Sequence, residues 1–278
     1  MNWVTCSEAV FIEFWTAQML KFAANLSMLF AEYPFIDRFS AAAGAGFAAA
    51  ECQFPYDHTP QEILECLNST GLELILLNIP AGDLAAGERG LAVFPDRQAE
   101  CREQIDYGLD YADRLGCPQM HLLSGLVPAG LEHEVALSTY VDNIRYAVQK
   151  AGEGGPKILV EPFNSVDVPD YLVHTVEDAR RVIELAGYEG VGLQFDFYHT
   201  QMEQGDLAST FQRHFELVSH IQISGVPGRH EPDDNEINYT YLFGLIDALG
   251  YEGHVGCEYN PRGSTVEGLN WLDEHLGR

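Results

Sequence analysis

From residue 20 onward, short apolar runs alternate with stretches whose apolar positions recur every three or four residues. The strand-like runs are 22–27 (FAANLS), 47–52 (FAAAEC), 72–78 (LELILLN), 119–124 (QMHLLS), 157–162 (KILVEP), 191–196 (VGLQFD), 219–224 (SHIQIS) and 254–259 (HVGCEY). Several are almost continuously apolar, as strands covered on both faces must be. Between them, Leu137, Val141, Ile144, Val148 and Ala151 form one helical stripe. Leu242, Ile246 and Leu249 form another, with Gly250 placed to end it. Thr59 ahead of Pro60 and Glu62 has the form of an N-cap followed by proline in the first turn. Eight β-then-α units without a break in composition predict an α/β fold, a single (β/α)8 TIM barrel. A doubly wound sheet is the rival, but no glycine-rich phosphate turn opens any of these helices. The stretch PAGDLAAGERG (80–90) reads instead as a long loop over the barrel mouth.

Residues 19–278 make the barrel domain, and residues 1–18 (MNWVTCSEAVFIEFWTAQ) an extension before it. The extension has acids at Glu8 and Glu13 and no basic n-region, which disfavours a signal peptide. An added helix on the barrel bottom and a true start at Met19 both fit it.

Four polar side chains close the late strand runs: Glu161 in KILVEPFN, Asp196 in VGLQFDFYH, Gln222 in HIQIS and Glu258 in HVGCEY. In a parallel barrel, strand C-terminal ends share one mouth, so these four converge there. Any one alone would more often serve a structural hydrogen bond. Together, two carboxylates about 4 Å apart repel by roughly 4 kcal/mol at an effective dielectric near 20. Three such groups must take up protons or surround a cation. All-oxygen ligation favours Mg2+ or Mn2+ over zinc.

His199, three residues after Asp196, is placed to reach a substrate hydroxyl or carbonyl. Arg229, in VPGRHEP, is a candidate bidentate clamp for a substrate carboxylate, its alternative being a partner for Glu231, Asp233 and Asp234. His121 and Asn164 are candidate pocket-lining groups. His220 is expected to point away from Gln222, on the ground that neighbours alternate faces.

Composition narrows the partners. Forty-two Asp and Glu against 15 Lys and Arg give a formal charge of −27, which repels phosphate backbones and anionic lipid. Nucleic acid and membrane are therefore not expected partners; a small carboxylate substrate is, and a homo-oligomer stays open. The six cysteines show no paired spacing, the pattern of reduced thiols in a cytoplasmic protein.

The segments FAANLSMLF, FPYD (54–57), NIPAGDLAAGERG, EPFN, QFDFYH, HIQISGVPGRHEP, EINYTYLF and GCEYNPRGSTVEGLNWL together resemble the hydroxypyruvate isomerase family of xylose-isomerase-like TIM barrels. The resemblance runs from about residue 20 to the C-terminus. It implies Glu161 and Glu258 as the paired acid and base, with Glu161, Asp196, Gln222 and Glu258 holding the metal. His199 and Arg229 would then stand at the substrate. It further implies isomerisation of hydroxypyruvate to and from tartronate semialdehyde, with a 2-oxo-tetronate (four-carbon sugar acid) isomerase as the alternative. Related barrels include metal-dependent apurinic-site endonucleases, and a barrel that only binds sugar acids is a third possibility. Leu84, where the family often has tryptophan, and Ser224-Gly225, where Ala-Asp is more usual, put substrate choice rather than chemistry in question. Residues 1–18 have no counterpart in the family.

Overall fold

Each of the eight apolar runs becomes a strand in the structure, a computed structural model that describes residues 20–273. The strands are β1 (Lys21–Asn25), β2 (Ala49–Cys52), β3 (Glu73–Asn78), β4 (Gln119–His121), β5 (Lys157–Val160), β6 (Val191–Asp196), β7 (Val218–Ile223) and β8 (His254–Cys257). Every strand is parallel to the next, and β8 returns to β1 with Lys21 opposite His254 and Ala24 opposite Cys257. The barrel is closed, as the alternation predicted. The expectation for residues 1–18 falls outside the described residues.

The helices are α1 (Phe35–Gly44), α2 (Pro60–Thr70), α3 (Gln98–Leu115), α4 (His133–Ala151), α5 (Val176–Ala186), α6 (Phe197–Glu203), α7 (Leu207–His214) and α8 (Tyr239–Ala248). Thr59 caps α2 in a full capping box: its hydroxyl accepts from Glu62 N at 3.3 Å, and Glu62 Oε2 accepts from Thr59 N at 2.8 Å. Gly250 follows α8 in the left-handed region at φ 75°, the conformation a C′ glycine supplies. The stripe Leu137, Val141, Ile144 faces the core from α4.

Alternation along the strands fixes what lies inside the barrel. Ala23, Ala49 and Leu159 point inward and pack with Ile75 into a small interior cluster. Two residues further along the same strands, on the same face, stand Asn25, Glu51 and Glu161. The interior therefore changes from apolar to polar in one layer, and that upper layer is the floor of the mouth. No helix among the described residues is long and apolar enough to cross a membrane.

Candidate active site

The strand ends deliver the four predicted groups to one place. Glu161 is the residue after β5, Asp196 ends β6, Gln222 lies near the end of β7 opposite Asp196, and Glu258 follows β8. All four are buried. Asp196 also caps α6, its Oδ1 accepting from Tyr198 N at 2.7 Å, which leaves Oδ2 for the mouth.

Bridging nitrogens show how close these groups lie. Gln194 Nε2 donates to Glu161 Oε2 at 2.7 Å and to Gln222 Oε1 at 2.6 Å. Arg229 Nη2 donates to Glu258 Oε2 at 2.7 Å and to Asp196 Oδ2 at 3.2 Å. Gln53 Nε2 holds the other oxygen of Glu258 at 2.5 Å. One atom of each of Glu161, Asp196 and His199 lies within 4.8 Å of the others, an arrangement able to hold a metal ion.

The electrostatics suit a cation. Burial, then Glu258 and Asp196 nearby, push the Glu161 carboxyl well above the usual carboxylate range. Burial likewise raises Asp196, although Arg229 and two backbone N–H groups oppose it. Glu258 is pushed up to about 7 by burial, with Asp196 and Glu51 adding to it and Arg229 opposing. Glu161 Oε1 is buried without a hydrogen-bond partner. A buried acceptor left open among carboxylates, with oxygen donors around it, fits a hard divalent ion.

His199 belongs to this cluster with Nδ1 turned to Asn164 and Nε2 toward Asp196. The Asn164 backbone N–H donates to its Nδ1 at 3.2 Å, so the ring proton sits on Nε2, 3.7 Å from Asp196 Oδ2. Burial, then Arg229 and His121, hold its pKa well below the ordinary value, so the ring is neutral. Phe163 stacks on it with centroids 4.7 Å apart.

Arg229 reaches the acidic mouth, as its place after β7 suggested. Its Nη2 lies against the site's own carboxylates and its guanidinium over the Tyr198 ring at 5.1 Å, while Nε is buried without a hydrogen-bond partner. The acids Glu231 and Asp233 pair instead with Arg262. Arg229 also has φ 56°, next to Gly228 at 91°, a tight turn that aims its side chain inward.

A cavity of about 340 Å³ opens over this floor, lined by Glu161, Gln194, His199, Arg229 and Glu258, with Leu84 and Arg89 among its upper residues. His121 and Asn164 stand behind that wall. Asn164 holds His199 through its backbone and is itself fixed by Asp167, whose Oδ2 accepts from Asn164 Nδ2 at 3.0 Å. His121 Nδ1 lies 3.2 Å from Glu161 Oε2, and burial lowers the ring to about 3. Both are better described as positioning groups than as substrate contacts.

His220 does not point away from Gln222. Residues two apart on a strand share a face, and both reach Glu51: His220 Nε2 lies 2.7 Å from Oε2, and Gln222 Nε2 donates to Oε1 at 2.8 Å. Glu51, fully buried in β2, also accepts from Asn25 Nδ2 at 2.9 Å. It is the group the sequence reading missed most plainly. Its signal was a carboxylate inside the apolar run AAEC, where an unpartnered charge would be costly.

Residues 39–275 match the xylose isomerase-like TIM barrel family. The chain is 45% identical to 2-oxo-tetronate isomerase of Cupriavidus necator over 94% of its length and all of that protein. It is 42% identical to hydroxypyruvate isomerase of Escherichia coli over 92% of its length and all of that protein. A crystal structure described as AP endonuclease, family 2, from Brucella melitensis superposes with a TM-score of 0.90 at 42% identity, covering 92% of this chain and 99% of that one. With fold, strand-end acids and these likenesses in agreement, the chain belongs to the hydroxypyruvate isomerase family of xylose isomerase-like TIM barrels.

Proposed function

We propose that the protein is an intramolecular isomerase of small sugar acids, moving a carbonyl between two adjacent carbons. Hydroxypyruvate to and from tartronate semialdehyde is the reaction expected first. The observation that carries the reading is that Glu161 and Glu258 come from non-neighbouring strands and line the same cavity.

In a 1,2 shift one carbon loses a proton and its neighbour gains one. Two carboxyls entering from different sides supply one partner for each carbon. One glutamate removes the proton from the hydroxyl-bearing carbon, and the other delivers a proton to the former carbonyl carbon. The hydroxyl proton moves from one oxygen to the other, and His199 Nε2–H, beside Asp196, is the neutral donor placed for that oxygen edge. Asn164 and Phe163 keep its ring in place. Glu161, Asp196, Gln222 and Glu258 would hold the divalent ion, Mg2+ or Mn2+. Once bound, that ion supplies Lewis-acid polarisation of the substrate oxygens and offsets the carboxylate charge.

A second reading, the four-carbon 2-oxo-tetronate, needs the same groups. It is favoured by relatives from Cupriavidus necator and Haemophilus influenzae, each 45% identical and each named for that activity. Side-by-side kcat/KM on the two acids, with and without chelator, decides between them; turnover of neither overturns the isomerase reading. The −27 charge weighs against a nucleic-acid substrate, and a cleavage assay on abasic DNA at low salt tests that rival directly. Unpaired thiols at Cys52, Cys66, Cys101, Cys117 and Cys257 support a reducing, cytoplasmic setting.

A further inference from the structure

The cavity carries a second guanidinium that the reaction scheme does not use. Arg89 lines it from the 79–94 loop after β3. Arg89 is exposed whereas Glu161 and Glu258 are buried, so it stands at the open end and they form the floor. Although the chain has 42 acids against 15 Lys and Arg, among the described residues no acid pairs with Arg89. Its Nη1 donates to the carbonyl of Glu88 at 2.8 Å and, more weakly, to that of Leu84 at 3.4 Å. The adjacent carboxylate of Glu88 is taken by Arg97 and by the Asp83 N–H.

The loop that presents Arg89 is fixed at close quarters. A Cβ on Gly90 would lie 2.5 Å from Leu123 O, and one on Gly125 would lie 2.6 Å from Gly90 O, so only glycines let these backbones meet. Gly90 N donates to Ala81 O at 3.0 Å, and Val93 N to Ser124 O at 3.0 Å. Arg89 therefore sits between a pinned glycine and a glutamate already held by its neighbours.

An anionic substrate must enter a strongly acidic protein and settle over carboxylates. Arg229 cannot supply the full attraction, because Asp196 and Glu258 already share its charge. The uncommitted charge in the cavity is Arg89. We propose that Arg89 binds the substrate's carboxylate and so sets the preference for a sugar acid over a neutral sugar of the same length. The proposal rests on the isomerase reading and adds a specificity-determining residue to it.

The test compares wild type with Arg89→Gln and Arg89→Lys on hydroxypyruvate and on dihydroxyacetone, which keeps the hydroxyketone and lacks the carboxylate. Tartronate serves as a non-reacting acid, its affinity measured by titration calorimetry. Arg89→Gln is expected to raise KM for hydroxypyruvate and weaken tartronate about 10- to 100-fold, with kcat changed far less. The acid-over-neutral ratio falls by the same factor, and Arg89→Lys recovers part of it. Unchanged KM and unchanged tartronate affinity would overturn the proposal while leaving an active isomerase. If wild type isomerises neither acid, the isomerase reading fails, and the tartronate titration still decides the role of Arg89. Inorganic phosphate binding as tightly as tartronate would overturn carboxylate recognition in favour of a phosphate site.

Discussion

Arg229 Nη2 lies 2.7 Å from Glu258 Oε2, so a guanidinium from the β7–α8 loop is ion-paired with a candidate catalytic carboxylate after β8. The same nitrogen reaches Asp196 at 3.2 Å. Burial works against charge on Arg229, yet the two acids outweigh it and raise its pKa. The chain thus supplies one cation of its own to a cluster whose mutual repulsion is on the order of 4 kcal/mol per close pair.

Arg229→Gln removes that cation. In metal-free protein, Asp196 and Glu258 then become harder to ionise, and ionising them costs folding stability at neutral pH. A fall in Tm of about 5 °C at pH 7.5 is expected, with a smaller fall at pH 5, where the carboxyls hold protons. Thermal melts at the two pH values check it. Equal losses at both would mean that Arg229 contributes packing rather than charge.

Metal-free protein should also lose stability from this site as pH rises. Glu161, Asp196 and Glu258 all have folded-state pKa values above the ordinary ones. Between about 4 and about 7, the latter being the value for Glu258, the folded state holds protons that the unfolded chain has released. Stability therefore declines across that window. Mg2+ or Mn2+ at about 100 times its Kd is expected to add about 2.7 kcal/mol at pH 7.5 and clearly less at pH 5, where protons compete. A metal-induced Tm shift independent of pH would contradict the site.

Glu161→Gln and Glu258→Gln are each expected to lower kcat by about 10² to 10⁴-fold. For Glu161 the loss of activity should come with unchanged or raised Tm in metal-free protein, because the substitution removes the cost of burying an ionisable carboxyl among other acids. Steady-state kinetics beside a melt separate this from misfolding. Near-normal kcat in either variant would remove it from the proton-transfer pair.

How much of this was legible follows from which contacts are local. Strands covered on both faces are largely apolar, so β1 to β8 and their order were readable. So were Glu161, Asp196 and Glu258, since a carboxylate closing such a run has the mouth to go to. Glu51 was not recognised, because its partners His220 and Gln222 lie on β7, across the barrel interior, and no local pattern links them. The engagement of Arg229 was hidden for the same reason: its loop turns through φ 56° before the side chain meets β6 and β8. His121 and Asn164 had the right neighbourhood but the wrong depth. Periodicity gives the face of a strand, and the neighbouring side chains decide what is covered.

Gly256 tests the Glu51 network. Its missing Cβ would lie 2.6 Å from Glu51 Oε1, so the carboxylate occupies the space a side chain on β8 would fill. Gly256→Ala is expected to destabilise by about 1–3 kcal/mol in denaturant titrations. Glu51→Ala, which strands His220, Asn25 and Gln222, should cost about 3 kcal/mol or more. In the double variant the Gly256 cost should shrink, since the obstructing oxygen is gone. Strict additivity would show that the two positions are not coupled.

The most direct measurement is isomerisation of hydroxypyruvate in D2O, followed by NMR at early times against an enzyme-free control. Proton transfer through Glu161 and Glu258 is expected to place solvent deuterium on the former carbonyl carbon of the product, and both Gln variants should abolish that incorporation. Product formed at full rate with the substrate's own hydrogen retained on that carbon would contradict the two-glutamate pathway.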